Sequence, residues 1–175
     1  FEAFIFILFY KFLKEHFIVI RASLYDDHKN KIDLLLIDKT TGAVICAEIT
    51  VADDADKLQI KADDLWKINT EENGVNLKYG LSLENGRLIL KEFHNLPIFY
   101  FAFNKEKIKK HIDQLVCSLD RTSKYEDELF KDLMWLLADQ VKKLDEFFQL
   151  NKINKTLGAH LETAKKSLGK IADIL

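Results

Sequence analysis

Cysteine is almost missing from this 175-residue chain: Cys46 and Cys117 stand alone, far apart and in no ligand-like spacing. That excludes a disulfide-stapled scaffold and fits a reduced, cytoplasmic protein. Proline occurs once, at Pro97, and glycine six times, so regular elements joined by short loops are expected. A global basic field is also lacking, because the formal net charge is −2. Nucleic acid is therefore not announced by charge, although a local basic groove can sit on a neutral domain. There is no phosphate-binding glycine loop and no nucleophile elbow. The five histidines (His16, His28, His94, His111 and His160) follow no metal or triad spacing. The apolar opening, Phe1 to Leu13, carries Glu2 and Lys11, lacks a basic leader and cleavage site, and is too short to span a bilayer. It reads as a buried helix, with no membrane partner.

What is present is apolar patterning. Nearly half of the chain is hydrophobic, with thirteen Phe, enough for a sizeable core. Residues 2–15 read as a helix and Phe17 to Ala22 as a first strand. A polar stretch, Ser23 to Lys31, precedes a second strand from Ile32 to Asp38. Lys39-Thr40-Thr41-Gly42 reads as a hairpin turn and Ala43 to Val51 as a third strand. Both hairpin strands are apolar on both faces, as in the middle of a covered sheet. Asp53 or Asp54 can cap a helix over 54–69 whose stripe is Ala55, Leu58, Ala62 and Leu65. Val75 to Leu83 and Arg87 to Phe93 flank Asn85-Gly86, a strong hairpin signal. Ile98 to Phe103 is a last strand.

From Asn104 the pattern becomes helical. One helix carries Ile108, Ile112, Leu115 and Leu119 on one face and a cluster from Lys105 to Lys110 elsewhere, either a phosphate grip or a solvated face. Ser123-x-x-Glu126 is a capping box opening a long helix. The terminal stripe Leu157, Leu161, Ala164, Leu168, Ile171 and Leu175 fits an intramolecular bundle or a homodimer seam, the seam preferred. The expected organisation is an α/β domain over 1–103 and an all-helical extension over 104–175.

The hairpin turn sets the register. Centred between Thr40 and Thr41, it places Asp33 opposite Glu48; a one-residue bulge would make them diagonal neighbours. Opposed carboxylates repel one another, and among apolar neighbours an unpaired charge is costly. A divalent cation with oxygen ligands relieves both problems, and Mg²⁺ is commonly held by one or two carboxylates with water and phosphate. The plainer alternative is that each acid is solvated at a strand end or paired with a lysine.

These residues resemble the PD-(D/E)xK nuclease superfamily. Ile32-Asp33-Leu34-Leu35-Leu36 is similar to its Asp strand, and Cys46-Ala47-Glu48-Ile49-Thr50 to its Glu-x-Lys strand. Glu2, followed by Phe17-Ile18-Val19-Ile20-Arg21, resembles the opening of archaeal Holliday junction resolvases. The likeness covers about residues 2–70. It implies a restriction-endonuclease-like αβββαβ core with a central mixed sheet. It also implies Mg²⁺ or Mn²⁺ on Asp33, Glu48 and the Ile49 carbonyl, and a nucleic-acid substrate, DNA ahead of RNA. The sequence departs from the pattern at Ile32, where a proline is expected, and at Thr50, where the lysine is expected. In some members that lysine comes from the following helix, and Lys61 and Lys57 are the candidates here. Glu2 is either a third metal-side carboxylate or a favourable charge at a helix start. Gln59 is either a substrate contact or a surface residue. The rivals to a nuclease are a nuclease-fold protein that binds without cleaving, favoured by Thr50, and an interaction protein working through its helical tail.

Overall fold

The computed structural model describes residues 2–84, 86–106 and 121–172. In chain order they form α1 (Glu2–Leu13), β1 (Phe17–Arg21), α2 (Leu24–Asn30), β2 (Leu34–Asp38), β3 (Val44–Ala52), α3 (Ala55–Thr70), β4 (Val75–Glu84), β5 (Arg87–Leu96), β6 (Ile98–Asn104), α4 (Lys124–Leu150) and α5 (Lys155–Ala172). The result is a mixed α/β structure. Its main sheet has the order β1-β2-β3-β6, antiparallel through β3 and parallel between β3 and β6. The β4–β5 hairpin forms a second, two-stranded sheet instead of joining the first. Its turn uses Gly86 at φ 74°, a conformation glycine takes without a Cβ penalty.

Both faces of the main sheet are covered, which explains why β2 and β3 are apolar on both sides. One face, with Leu34, Leu36, Ile45, Ala47, Ile49, Phe99 and Phe101, packs on α1, α4 and α5. The other face, with Leu35, Ile37, Val44, Cys46 and Ile98, packs on Leu65 of α3 and on Val75, Leu77 and Leu96 at the base of the hairpin. The helices after Asn104 thus share a core with the sheet. Leu157, Leu161 and Ala164 of the terminal stripe are buried there, so the face reserved for a homodimer seam is already covered by the chain itself. The first extension helix, with Ile108, Ile112, Leu115 and Leu119, lies outside the described residues, as do Cys117 and the side chain of Ile171. No helix among the described residues is long and apolar enough to cross a membrane.

The stretch from Ser23 to Lys31, expected as a polar connector, is a helix. Ser23 caps α2 by accepting the Asp26 N–H at 3.1 Å, and Lys31 ends it in the left-handed region at φ 57°. The helix is short and only Asp26 is buried, so no apolar stripe marks it in the sequence. The Asp26 carboxylate accepts from the Ser23 hydroxyl (2.7 Å), Asn30 Nδ2 (2.7 Å), and the N–H groups of Lys78 (2.8 Å) and Tyr79 (3.0 Å). Those two N–H bonds fasten α2 along β4.

Candidate active site

The turn between β2 and β3 is closed by its own polar groups. Asp38 Oδ1 accepts from Thr40 (2.7 Å) and Thr41 (3.0 Å) N–H, the Gly42 N–H reaches the Asp38 carbonyl, and Gly42 sits at φ 71°. It fixes the expected register: Ile37 faces Val44 and Leu34 faces Ala47. Beyond Leu34 the ladder slips. The Asp33 N–H goes to the Ala47 carbonyl at 2.9 Å, and its carbonyl accepts from Ala22 at the end of β1. The next donor on β3, the Ile49 N–H, is taken by the Asp33 carboxylate itself, Oδ2 at 2.6 Å. Asp33 therefore stands where β2 stops pairing, its side chain turned back across β3 toward the Glu48–Ile49 peptide.

Three acids converge electrically on Asp33. Burial, partly offset by the Ile49 N–H and reinforced by the charges of Glu48, Glu2 and Asp27, pushes its carboxyl up to about 7. A carboxylate in this field gains more from a nearby cation than one in water.

Glu48 is buried, and on β3 it lies two residues from Cys46, on the same face, which looks toward α3. Lys61, reaching from α3, places Nζ 2.6 Å from Glu48 Oε1. The spacing of Lys61 between Leu58 and Leu65 explains this: its stem lies beside the buried stripe while the ammonium reaches the sheet. Lys57, one turn earlier, is exposed and makes no ion pair with Glu48 among the described residues. Thr50, where the superfamily pattern has lysine, sets its hydroxyl 3.5 Å from Glu48 Oε1, the outer limit of a hydrogen bond.

Glu2 pairs with Arg21 across α1 and β1, and its charge still reaches Asp33. Gln59 bonds to Asp63 at 2.8 Å on the surface of α3, away from the carboxylates. It lines a cleft of about 550 Å³ between α3, β6 and α4. Asp54, not Asp53, caps α3, and Asp53 pairs with Lys105 at 3.4 Å. Ile49 enters the site through its N–H to Asp33, while its side chain belongs to the opposite core.

Sequence reasoning did not single out Tyr100. It faces Glu48 across the parallel β3–β6 ladder, and its hydroxyl lies 3.4 Å from the Leu58 carbonyl. Burial raises the phenol above its ordinary range, against a hydrogen bond with Thr50 and the charge of Lys61. The backbone of Tyr100 is held by the Gln140 side chain of α4, at 2.8 Å to its N–H and 2.9 Å to its carbonyl. This amide occupies the outer edge of β6, where a further strand would otherwise pair.

Among the described residues no group of three or more His, Cys, Asp or Glu side chains is placed to enclose a metal ion. The site consists of two carboxylates from one hairpin, a lysine from the following helix, and a hydroxyl pair beside them. Family models, curated proteins and solved structures were all compared with this chain, and none matches.

Proposed function

We propose that the chain is a metal-dependent nuclease of restriction-endonuclease-like fold that hydrolyses phosphodiester bonds in nucleic acid. The observation that carries this reading is the convergence of Asp33 and Glu48 on one hairpin with Lys61 supplied by α3. Their hard oxygens suit Mg²⁺ or Mn²⁺, and two protein carboxylates suffice when water and phosphate complete the shell. The upward shift of Asp33 and its single backbone donor support the fit, because the pair carries more negative charge than Lys61 offsets. Bound there, the ion would lower the pKa of a water and polarise the scissile phosphate.

The remaining roles belong to the chain. Asp33 is held by the Ile49 N–H and Glu48 by Lys61, so both carboxylates are positioned before a cation arrives. Lys61 stands where it can orient an attacking water and offset charge building on the phosphate. Tyr100 and Thr50 form the polar wall behind Glu48. A panel of plasmid, linear, single-stranded, branched and RNA substrates with Mn²⁺ tests the proposal. Cleavage should disappear in Asp33→Ala and Glu48→Ala; cleavage that survives both substitutions would sink the assignment.

A second reading, a nuclease-like domain that binds without cleaving, is favoured by Thr50 at the lysine position. Salt-sensitive binding with no cleavage under any metal would select it.

A further inference from the structure

Away from the carboxylates, α2 and β4 present an exposed face that the proposed chemistry does not use. Tyr25 and Tyr79 are 43% and 42% exposed, and their rings meet edge to face with centroids 5.7 Å apart. Lys78 Nζ lies over both, 4.8 Å from the Tyr25 centroid and 5.4 Å from that of Tyr79. Toward the C-terminal end of α2 the same junction opens into a polar cleft of about 440 Å³, lined by Lys29, Lys31, Lys67 and Asn76 with Asp64 and Glu72. None of these four lysines forms an ion pair among the described residues. In a chain of net charge −2 this is a local concentration of lysines outside any ion pair, more numerous than the two acids beside them.

The two parts are rigidly related. Asp26, fully buried beneath them, grips the Lys78 and Tyr79 N–H groups and its own helix at once. Little backbone freedom is left to lose on binding. The chain leaving α2 passes through Lys31 directly into Asp33, so a ligand lying along α2 is led toward the carboxylates.

We propose that this face binds single-stranded nucleic acid, with unstacked bases on Tyr25 and Tyr79 and phosphates on Lys78 and the cleft lysines. The choice of substrate class rests on the nuclease reading. Once Lys78 swings from the rings to a phosphate, the half-exposed rings offer a π-face to bases that are free to splay, whereas a duplex keeps its bases stacked inside and offers only phosphates. Asp64 and Glu72 temper the field of the cleft. Phosphate contacts are therefore at most about four, and the slope of log affinity against log salt is no steeper than about −3.

The experiment is fluorescence anisotropy of a labelled fifteen-nucleotide oligo-dT, and of a duplex of equal length, with the full chain in EDTA. The single strand should bind at least about tenfold tighter than the duplex. The double variant Tyr25→Ala/Tyr79→Ala should lose about tenfold or more, since it removes both stacking platforms. Tyr25→Phe/Tyr79→Phe should keep the affinity, and Lys78→Gln should flatten the salt slope by about one phosphate. Equal affinity for duplex, an unaffected alanine double variant, or binding only to phosphatidylserine vesicles would each overturn the inference. Because no divalent metal is present, the outcome is separate from cleavage. Tyrosine-dependent binding by a protein that never cleaves would remove the nuclease reading and keep this one; cleavage with tyrosine-independent binding would do the reverse.

Discussion

Asp26 and Asp33 lie on either side of Lys31, and they answer burial in opposite ways. Burial pushes the Asp26 carboxyl up, but the Lys78 N–H, the Ser23 hydroxyl, the Tyr79 N–H and Asn30 outweigh it, and its pKa ends below the ordinary value. Asp33 has one backbone donor and three neighbouring carboxylates, and it ends at about 7. The first aspartate has all the partners it needs within the fold. The second lacks one. Such an imbalance separates an acid that holds structure from one poised for a ligand.

The contrast can be broken by mutation, and the largest effect is expected at Asp26. Asp26→Ala strips the Lys78 and Tyr79 N–H groups of their shared acceptor and frees α2 from β4. A loss of about 3–5 kcal/mol in urea denaturation is expected, in the range for stripping one partner from a buried charged network. Asp33→Asn removes a repelled charge while keeping an acceptor for Ile49, so the metal-free variant should be as stable as wild type or more so. Equal losses at the two positions would erase the distinction between them.

Acidity sharpens it next. A carboxyl whose folded pKa is raised binds its proton more tightly folded than unfolded, so stability falls as pH rises through the window between the two values. For Asp33 the window runs from about 4 to about 7, and the metal-free protein should lose roughly 2–4 kcal/mol across it. Asp33→Asn should remove that slope. Asp26 acts with the opposite sign: its folded pKa is lowered, so its contribution is present above the ordinary aspartate range and lost as pH falls through and below it. Calorimetric melting from pH 3 to 8 of wild type and Asp33→Asn separates the two. A flat wild-type profile between pH 4 and 7 would place Asp33 among the satisfied acids.

These two residues also mark how far the sequence could be read. The β2–β3 register was legible as far as Leu34 because a short polar turn between strands apolar on both faces fixes it locally. The slip beyond Leu34, which takes Asp33 out of the direct opposition to Glu48 expected from the turn, has no such local signal. The capping box at Ser123 and Glu126 was as local as the turn; in the structure Glu126 Oε1 also meets Lys11 at 2.6 Å inside the core, a contact across the chain with no sequence signature. Asp26 was hidden because α2 is too short and too polar to show a helical stripe, and its decisive partners lie on a distant strand. Tyr100 was hidden for a similar reason. Parallel pairing of β3 with β6 skips the intervening α3 and the β4–β5 hairpin, so no turn specifies it. The terminal stripe misled because an apolar helix face looks the same whether its partner is a second copy or its own sheet. Of the two candidate lysines, Lys61 is the one the structure sets beside Glu48, because its stem lies along the buried stripe of α3.

Metal is the next probe. A divalent ion requires the deprotonated carboxylate and removes the repulsion around Asp33. At a hundredfold excess over its dissociation constant, Mn²⁺ should raise stability by about 2.7 kcal/mol at pH 7. The shift should be absent in Asp33→Asn and should survive in a variant altered only on the α2–β4 face, such as Tyr25→Phe. A wild type indifferent to millimolar Mn²⁺ would leave the raised carboxyl without a ligand to explain it.

The smallest effect is expected at the lysines, and it bears on what Glu48 still lacks. Lys61 shares Glu48 Oε1 with any incoming cation, so the ammonium both orients the site and competes for the same oxygen. Lys61→Met keeps the stem and removes the charge. Losing the ammonium leaves the buried Glu48 without its cation, so the metal-free fold should lose about 1–2 kcal/mol, and Mn²⁺ affinity should stay level or tighten by a few-fold as the competitor leaves. Turnover should nonetheless fall well beyond any change in affinity, because the water and the phosphate lose their positioning cation. Lys57→Met, at an exposed position without an ion pair to Glu48, should change none of these quantities by more than about 0.5 kcal/mol. Isothermal titration with Mn²⁺ beside single-turnover cleavage distinguishes the two lysines. Equal responses, or metal binding that collapses in Lys61→Met, would make the 2.6 Å pair a structural tie of the same kind as Lys11 with Glu126. Glu48 would then be satisfied as Asp26 is, and Asp33 would stand alone as the ligand-seeking acid.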